Sequence, residues 1–380
     1  MSKLEQLINE FCPDGVEYKE LGEVIKLEKG KQLNKEQLLE NGEYPAYNGG
    51  ITYSGFTNIY NYTENKIIIS QGGASAGFVN FVTTKFYANA HCYVILPIEN
   101  IVVNKYVYHF LKLKQEILTS KQHGAGIPAL RTSEVLSIKI PLPPLAVQEE
   151  IVRILDTFTE LTTELTTELT MRKQQYEYYR DSLLTFGDEV PIFQLNEVAQ
   201  YSKDRINAIE VDKTTYIGVD NLLQDRQGKT DSNYVPTEGR LTRYEKNNIL
   251  IGNIRPYLKK IWFSDTCGGT NGDVLVIQPI NDKLLPKYLY VLLCTEKFFN
   301  YNMQNAKGAK MPRGNKDVIM RYSFHLPSLE EQQRIIDILD RFDTLCNDIS
   351  QGLPAEIKMR QQQYEYYRNK LLTFEKAKVE

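Results

Sequence analysis

A fifteen-residue stretch occurs twice in this chain. Arg172–Phe186 returns as Arg360–Phe374, 188 positions later, with 12 of 15 residues identical. A repeat constrains the architecture before any single helix or strand does, because both copies must bury the same faces in the same way. Weaker matches follow in the same order. Val16…Leu21-Gly22-Glu23-Val24 matches Val190…Leu195-Asn196-Glu197-Val198 at an offset of 174. Asn65–Ile69 matches Asn247–Ile251, Asn89–Pro97 matches Asn271–Pro279 and Lys105–Tyr108 matches Lys287–Tyr290, all at 182. Pro128 matches Pro312, and Leu142-Pro143…Ile154-Leu155-Asp156…Phe158 matches Leu326-Pro327…Ile338-Leu339-Asp340…Phe342, at 184. Offsets that only grow are what duplication followed by small insertions leaves behind.

Each copy divides into a strand-rich part and a helical part. Short β-branched and aromatic runs (Lys66–Ser70, Tyr93–Leu96, Asn248–Ile251, Val274–Gln278) lie between Gly, Asn and Pro clusters and predict strands. Helices are predicted at Asn104–Leu118 and Pro286–Asn300. A long helix is predicted from near Pro144, with Ile151, Ile154, Leu155, Phe158, Leu161, Leu165, Leu169, Tyr176, Tyr179 and Leu183 forming one apolar stripe. About 43 residues at 1.5 Å each give a rod of roughly 65 Å. In the second copy Ser328-x-x-Glu331 reads as a capping box, and Gly352-Leu353-Pro354 as a break with Pro354 restarting the helix in its first turn. A helix of that length needs a partner face, and its own repeat, packed antiparallel as a coiled coil, supplies one. Leu4, Leu7, Ile8 and Phe11 predict a short amphipathic helix where the C-terminal helix of a preceding copy would end, so that the chain closes into a pseudo-two-fold ring. The expected fold class is α/β (α+β). The expected segments are an N-terminal helix (1–15), a globular block (16–140), a central helical spacer (141–189), a second globular block (190–325) and a C-terminal helical spacer (326–380).

The chain has 380 residues, 42% hydrophobic and 24% charged, and can bury a sizeable core. No apolar run reaches 18 residues and the N-terminus lacks a signal-peptide pattern, so a soluble, cytoplasmic protein is expected. Five scattered cysteines without a C-x-x-C pair argue against a disulfide framework or a structural zinc site. The net charge of −3 conceals a polarised chain. Residues 16–140 carry 13 Lys+Arg against 11 Asp+Glu, and 190–325 carry 19 against 14. Residues 141–189 carry 4 against 10. Two mildly basic blocks therefore alternate with acidic segments.

The tandem arrangement, the helix ending Gln-Gln-Tyr-Glu-Tyr-Tyr-Arg…Leu-Leu-Thr-Phe, and the tetrapeptides Thr159–Thr162, Thr163–Thr166 and Thr167–Thr170 (each Thr-Glu-Leu-Thr) together resemble the specificity subunit of type I restriction-modification enzymes. The resemblance spans essentially the whole chain and is strongest in the helices. It implies that each globular block is a target recognition domain binding one half of an asymmetric, bipartite double-stranded DNA site with a fixed gap. It implies that the helices separate the blocks and dock two methyltransferase subunits, to which restriction/translocase subunits are added. No cofactor belongs to this chain on that reading; S-adenosylmethionine would sit on the methyltransferase subunits, and ATP with Mg on the restriction subunits. The repeated Tyr176, Tyr179 and Arg180, with Tyr364, Tyr367 and Arg368, are the expected partner-binding residues. The tetrapeptides also carry a physical reading of their own. Four residues add about 6 Å to a helix and turn its far end by about 40° beyond a full turn. Along DNA that is about one to two base pairs, so the run reads as an adjustable spacer.

DNA binding asks for Lys and Arg at phosphates and Asn, Gln, Arg or His at base edges, on loops that can enter a groove. In the first block the candidates are Tyr47, Asn48 and Tyr53; Gln71 and Ser75 in Ser70–Ser75; and Lys121 and His123 in Lys121-Gln122-His123-Gly124-Ala125-Gly126, with Arg131. In the second they are Arg255, Lys259 and Lys260; Thr270 and Asn271; and Lys307, Lys310, Arg313, Asn315 and Lys316, which put four cations into ten residues. Ordinary β-turn chemistry is the competing explanation for any single Gly or Asn among them.

Other motifs carry less. Pro13-Asp14…Glu17-Tyr18-Lys19 spells a nuclease-like PD…E-x-K, but its gap is too short for two strands. Pro143-Pro144 lacks the flanking residues of an amino-methyltransferase motif, and there is no phosphate-loop signature for ATP. His91-Cys92 is a lone pair without a third metal ligand nearby. The expectation is a non-catalytic recognition subunit. The rivals are a stand-alone DNA methyltransferase, which S-adenosylmethionine cross-linking would reveal, and a non-catalytic tandem-repeat scaffold, which would enrich no DNA sequence.

Overall fold

The structure is a computed structural model that describes residues 2–121, 123, 128–348 and 350–377. It divides into two compact units. The first comprises residues 1–166 and 356–380, the second residues 167–355. The helix Leu145–Leu183 contributes its first half to the first unit and its second half to the other. The chain is a mixture of helices and strands whose ladders are mainly antiparallel, which favours the α+β side of the expected class. The parallel exceptions are short: Ala46–Tyr47 with Tyr87–Ala88, and Tyr216–Ile217 with Gly269–Thr270.

In the first unit the strands Ile25–Lys29, Cys92–Pro97, Lys66–Ser70 and Val79–Val82 form a four-stranded sheet in that order. Lys66–Ser70 lies where β-propensity put it, and alternation decides its faces. Ile67 and Ile69 join a cluster with Tyr106, Val107 and Phe110 of the helix Asn104–Leu113. Ile68 turns the other way, into a cluster with Phe86 and Val94. Both faces are covered, so the run is apolar throughout rather than alternating. The second unit repeats this. Ile249 and Ile251 face one cluster and Leu250 another, in a sheet ordered Ala199–Tyr201, Val274–Pro279, Ile249–Gly252, Ile261–Phe263.

Each predicted 15-residue helix is two shorter ones. Asn104–Leu113 stops where Lys114 leaves helical geometry, and Gln115 opens Gln115–Ser120 with its side chain bonding Val79 N–H and Gly77 O. In the second unit Thr295 caps Glu296–Gln304 after Pro286–Leu293. A side-chain amide ties each helical pair to the start of the long helix that follows. Gln148 Nε2 donates to Ile101 O and Pro143 O while its Oε1 accepts from Val103 N. Gln332 makes the equivalent bonds to Lys283 O, Pro327 O and Leu285 N.

The helical parts largely follow the expected pattern. Leu329–Asn347 and Leu353–Leu371 are separated at Gly352, with Pro354 in the first turn of the second. The capping box is half formed: Ser328 Oγ accepts from Glu331 N, but the Glu331 carboxylate turns to Arg334, the stronger donor. Threonines in the tetrapeptide run bond back one turn, as Thr162 Oγ1 to Phe158 O (2.8 Å) and Thr166 Oγ1 to Thr162 O (2.7 Å). Their hydroxyls are thereby satisfied on the helix itself.

The repeated helical ends pack into the cores. Tyr364, Leu372 and Phe374 join the first unit's cluster, and Val16 N donates to Glu375 O at 2.9 Å. Tyr176, Leu183 and Phe186 join the second unit's cluster. In the first unit Phe158 stacks on Tyr367 at 5.1 Å, and in the second Phe342 lies 5.5 Å from Tyr179, so each unit contains a pair of helices in contact. The helix Lys3–Phe11 packs Leu4, Leu7 and Ile8 on the first core, while Phe11 stays 47% exposed and Cys12 takes the inward place beyond it.

Candidate nucleic-acid interface

In the first unit the segment Gln71–Gly73 meets the distant turn that carries His123 and Pro128–Leu130. Gly73 N donates to Pro128 O (2.8 Å), Leu130 N to Gln71 O (2.8 Å), and His123 and Ala129 exchange a pair of backbone bonds (3.0 and 2.9 Å). The second unit builds the same scaffold. Arg255 N donates to Pro312 O (2.7 Å), Gly314 N to Asn253 O (3.0 Å), and Lys307 and Arg313 exchange the corresponding pair (2.9 and 2.8 Å). The backbones correspond bond for bond, yet the side chains they present differ. Gly73 corresponds to Arg255, Gln71 to Asn253, His123 to Lys307, Ala129 to Arg313, and Arg131 to Asn315.

The Gly73/Arg255 position has positive φ in both units, +85° and +53°. Glycine takes that conformation freely, whereas for arginine it costs about 1–2 kcal/mol. Non-glycine residues held there by surrounding hydrogen bonds concentrate at functional sites.

The remaining first-block candidates gather around the same scaffold. Ser70 Oγ donates to Gly50 O (2.8 Å) and Asn80 Nδ2 to Ile51 O (2.7 Å), which ties the turn carrying Asn48 and Tyr53 to the segment carrying Gln71 and Ser75. Asn48 is exposed, and Tyr53 lies edge-on to the half-buried Tyr47. Gly49 passes so close to Gly72 that a Cβ would lie 2.7 Å from its carbonyl oxygen. His123 is exposed but its Nε2 pairs with Glu134, whose Oε2 also accepts from Arg131 N. Burial raises the Glu134 pKa, but the histidine and the Arg131 amide outweigh it and hold the carboxyl below its ordinary value. Lys121 is half-buried at the end of Gln115–Ser120, and Arg131 is exposed. Gln122 and Gly124, Ala125 and Gly126 of this loop lie outside the described residues.

Several second-block candidates are placed otherwise than their residue types suggested. Thr270 is fully buried and its hydroxyl donates to Ile217 O, so it is withdrawn from any base edge. Lys259 pairs with Glu296 at 2.6 Å, and Arg226 reaches the same carboxylate. Lys260 donates to Val219 O at 2.7 Å, and burial lowers its pKa. Asn271 and Asn315 accept from Asp273 N and Asp317 N, the turn and cap chemistry that competed with a binding role. Arg313 is 54% exposed and holds Asp273 at 2.7 Å. Lys307, Lys310 and Lys316 are exposed. Composition did not single out Tyr257, 49% exposed between Arg255 and Lys259, nor Arg226, which only the fold brings to the Glu296 carboxylate beside Lys259.

The expected partner-binding residues are engaged within the chain to different degrees. Arg180 is buried, bonds Asp181 and lies over the Tyr176 ring; Arg368 lies over Tyr364, whose hydroxyl meets His109 Nδ1 at 2.9 Å. Tyr179 and Tyr367 are engaged in the helix pairs described above. Tyr179 and Tyr367 nevertheless keep 40% and 37% exposure, and the neighbouring Tyr178 and Tyr366 reach 71% and 59%.

Two homologous units that present different side chains from one loop scaffold define a tandem recognition protein. The chain belongs to the family of type I restriction modification DNA specificity domains, whose profile matches residues 13–172 and 188–359. It is 32% identical over 406 residues to the type I restriction enzyme EcoR124I/EcoR124II specificity subunit of Escherichia coli, covering 100% of this chain and 98% of that one. Among solved structures it resembles the type I restriction-modification S subunit from M. genitalium (TM-score 0.60, 18% identity, 94% of this chain and 96% of that one). It also resembles a chain from a structure describing complex assembly and conformational transition of the type I R-M system (TM-score 0.57, 14% identity, 95% and 98%). At those identities the two structures speak for the fold alone. Among the described residues no helix is long and apolar enough to cross a membrane.

Proposed function

We propose that this chain is the DNA sequence-specificity subunit of a type I restriction-modification complex and reads a bipartite, asymmetric site with a fixed gap. Residues 16–140 and 190–325 are the two target recognition domains on this reading. The observation that carries it is the twin scaffold: one backbone arrangement, two sets of side chains, as two heads reading different half-sites require. Arg255, Lys307, Lys310, Arg313 and Lys316 supply phosphate and base-edge contacts in the second block; Asn48, Tyr53, Gln71, His123 and Arg131 supply them in the first.

The helices form an antiparallel coiled-coil spacer and dock methyltransferase and restriction/translocase subunits. The ring contacts Phe158–Tyr367 and Phe342–Tyr179 support this, because each unit sets the repeated tyrosine against the matching phenylalanine. The outward Tyr178 and Tyr366 are then the partner-facing residues. Methyl transfer and cleavage belong to the other polypeptides, with S-adenosylmethionine on the methyltransferase subunits and ATP with Mg on the restriction subunits. The basic excess of each block is small, so the isolated chain binds DNA modestly and the partner subunits complete the clamp.

The test is selection from random duplexes by the chain reconstituted with its methyltransferase subunits. Two short motifs at one constant spacing are expected; a single contiguous motif, or no enrichment, would refute the assignment.

A further inference from the structure

Among the described residues six non-glycine residues have positive φ, and two of them, Asn65 and Asn247, are one repeated position where asparagine tolerates that conformation. The other four, Asp225, Arg226, Arg255 and Lys259, lie in two turns of the second unit that are bonded to each other. Asp225 N donates to Leu258 O (3.0 Å) and Arg226 N to Lys259 O (3.1 Å). The repeat makes the strain visible. At the offset of 182, Arg255 and Lys259 correspond to Gly73 and Gly77, whose φ values are +85° and +88°. Both turns close alike, Ala76 N donating to Gly73 O (3.0 Å) and Leu258 N to Arg255 O (2.9 Å). The first unit builds this turn from two glycines without steric conflict, and the second builds it from two long cations.

For Lys259 the fold supplies a reason: its ammonium and the Arg226 guanidinium hold one carboxylate, Glu296, at 2.6 and 2.5 Å. Arg313 is likewise held by Asp273 at 2.7 Å. Arg255 has no such role. It is exposed, and among the described residues its guanidinium has no hydrogen-bond or ion-pair partner. Its backbone, by contrast, is fixed: Arg255 N donates to Pro312 O (2.7 Å), and the ring of Pro256 locks the next φ. An unpaired guanidinium on a strained but rigid backbone gains nothing inside the chain and is pre-organised for a ligand outside it. A phosphate asks only for a cation, which the exposed Lys307, Lys310 and Lys316 offer without strain. A guanidinium is a planar fork of donors with no acceptor, so the base edge that suits it presents two acceptors side by side. In the major groove guanine does so, through N7 and O6. We propose that Arg255 is the specificity-determining residue for a guanine in the half-site read by the second unit, gripped by both arms of the fork, and that the strained turn aims it. Gly73 offers no side chain at the corresponding place, so the first half-site is not read from there.

The assignment rests on the reading that the chain recognises a bipartite DNA site, and the experiment separates the two. The full chain and its Arg255→Gly variant are each reconstituted with the methyltransferase subunits and used to select sites from random duplexes. Arg255→Gly installs the residue that the first unit carries at this φ, so the melting temperature should stay the same or rise. One G·C position of the selected site should become degenerate, and affinity for the original site should fall about tenfold or more, as loss of a bidentate base contact does. The gap and the other half-site should be retained. Replacing that guanine by 7-deazaguanine, which lacks the N7 acceptor, should weaken the unaltered complex and leave the Arg255→Gly complex unchanged. A preference untouched by Arg255→Gly, loss of discrimination at an A·T position instead, equal weakening of both proteins by 7-deazaguanine, or a clear fall in melting temperature would each overturn the assignment while leaving the specificity-subunit reading intact. No enrichment of a split site by the unaltered complex would overturn that reading and the assignment with it.

Discussion

Replacing Lys307, Lys310 and Lys316 together by Ala removes exposed cations from the second-unit scaffold without touching its backbone bonds. Each phosphate that is no longer neutralised should flatten the dependence of log affinity on log salt by about 0.9. The first half-site in a selection should stay unchanged; an unaltered salt slope in duplex-binding titrations would exclude these lysines as phosphate ligands. A second residue-scale prediction concerns His109, buried with Nε2 on Asp156 (3.0 Å) and Nδ1 on Tyr364. Burial pushes its pKa below the ordinary histidine value against the pull of Asp156, while Lys105 and Arg368 oppose the charged form. The unfolded chain therefore takes up the proton first. The stability contributed by neutral His109 is complete above about pH 6.5 and is lost progressively as pH falls toward the folded-state pKa. Thermal melts of the first unit should steepen in pH dependence over that window, and His109→Leu should flatten it. No difference between the two proteins would show that the buried imidazole is not the titrating group. Single residue types misled where their bonds are internal. Thr270 and Lys260 look like DNA ligands in a sequence, and only the neighbours Ile217 and Val219, distant in the chain, show that they are occupied.

Helices and strands were legible because their signals are periodic and local. The runs Lys66–Ser70 and Val274–Gln278, the break at Gly352-Leu353-Pro354 and the long helix after Pro144 all follow from spacing and capping chemistry. Boundaries within the paired helices were not, since Lys114 and Thr295 interrupt a pattern that apolar spacing alone would continue. The tetrapeptide run makes the testable claim at this scale. Deleting Thr167–Thr170 removes about 6 Å of helix. The gap between half-sites selected by the reconstituted complex should shorten by about one to two base pairs with both half-site sequences retained. Altered half-sites at an unchanged gap would contradict the spacer.

For the whole molecule, the segment from residue 356 onward belongs to the first unit although the whole second unit, residues 167–355, separates it from the rest of that unit in the sequence. Truncating the chain after residue 355 strips Tyr364, Leu372 and Phe374 from that unit's core. Removing each large apolar side chain costs about 2–5 kcal/mol, and together they rival a domain's whole margin. Calorimetry of the truncated chain should show the first unit melting far lower with the second nearly unchanged, and a peptide of residues 356–380 added in trans should restore it. An unchanged first transition would mean that this segment contributes little to the fold.

The sequence by itself determined the duplication, the class of each element and the family, because repeats and hydrophobic periodicity are written in neighbouring residues and survive without knowledge of contacts. Tertiary structure decided which turns meet, as Gln71, His123 and Ala129 do in one unit and Asn253, Lys307 and Arg313 in the other. It decided which polar groups are taken up by internal partners, and that the C-terminal repeat closes onto the N-terminal half. Those outcomes depend on burial and on hydrogen bonds between residues tens to hundreds of positions apart, where local propensity carries no information.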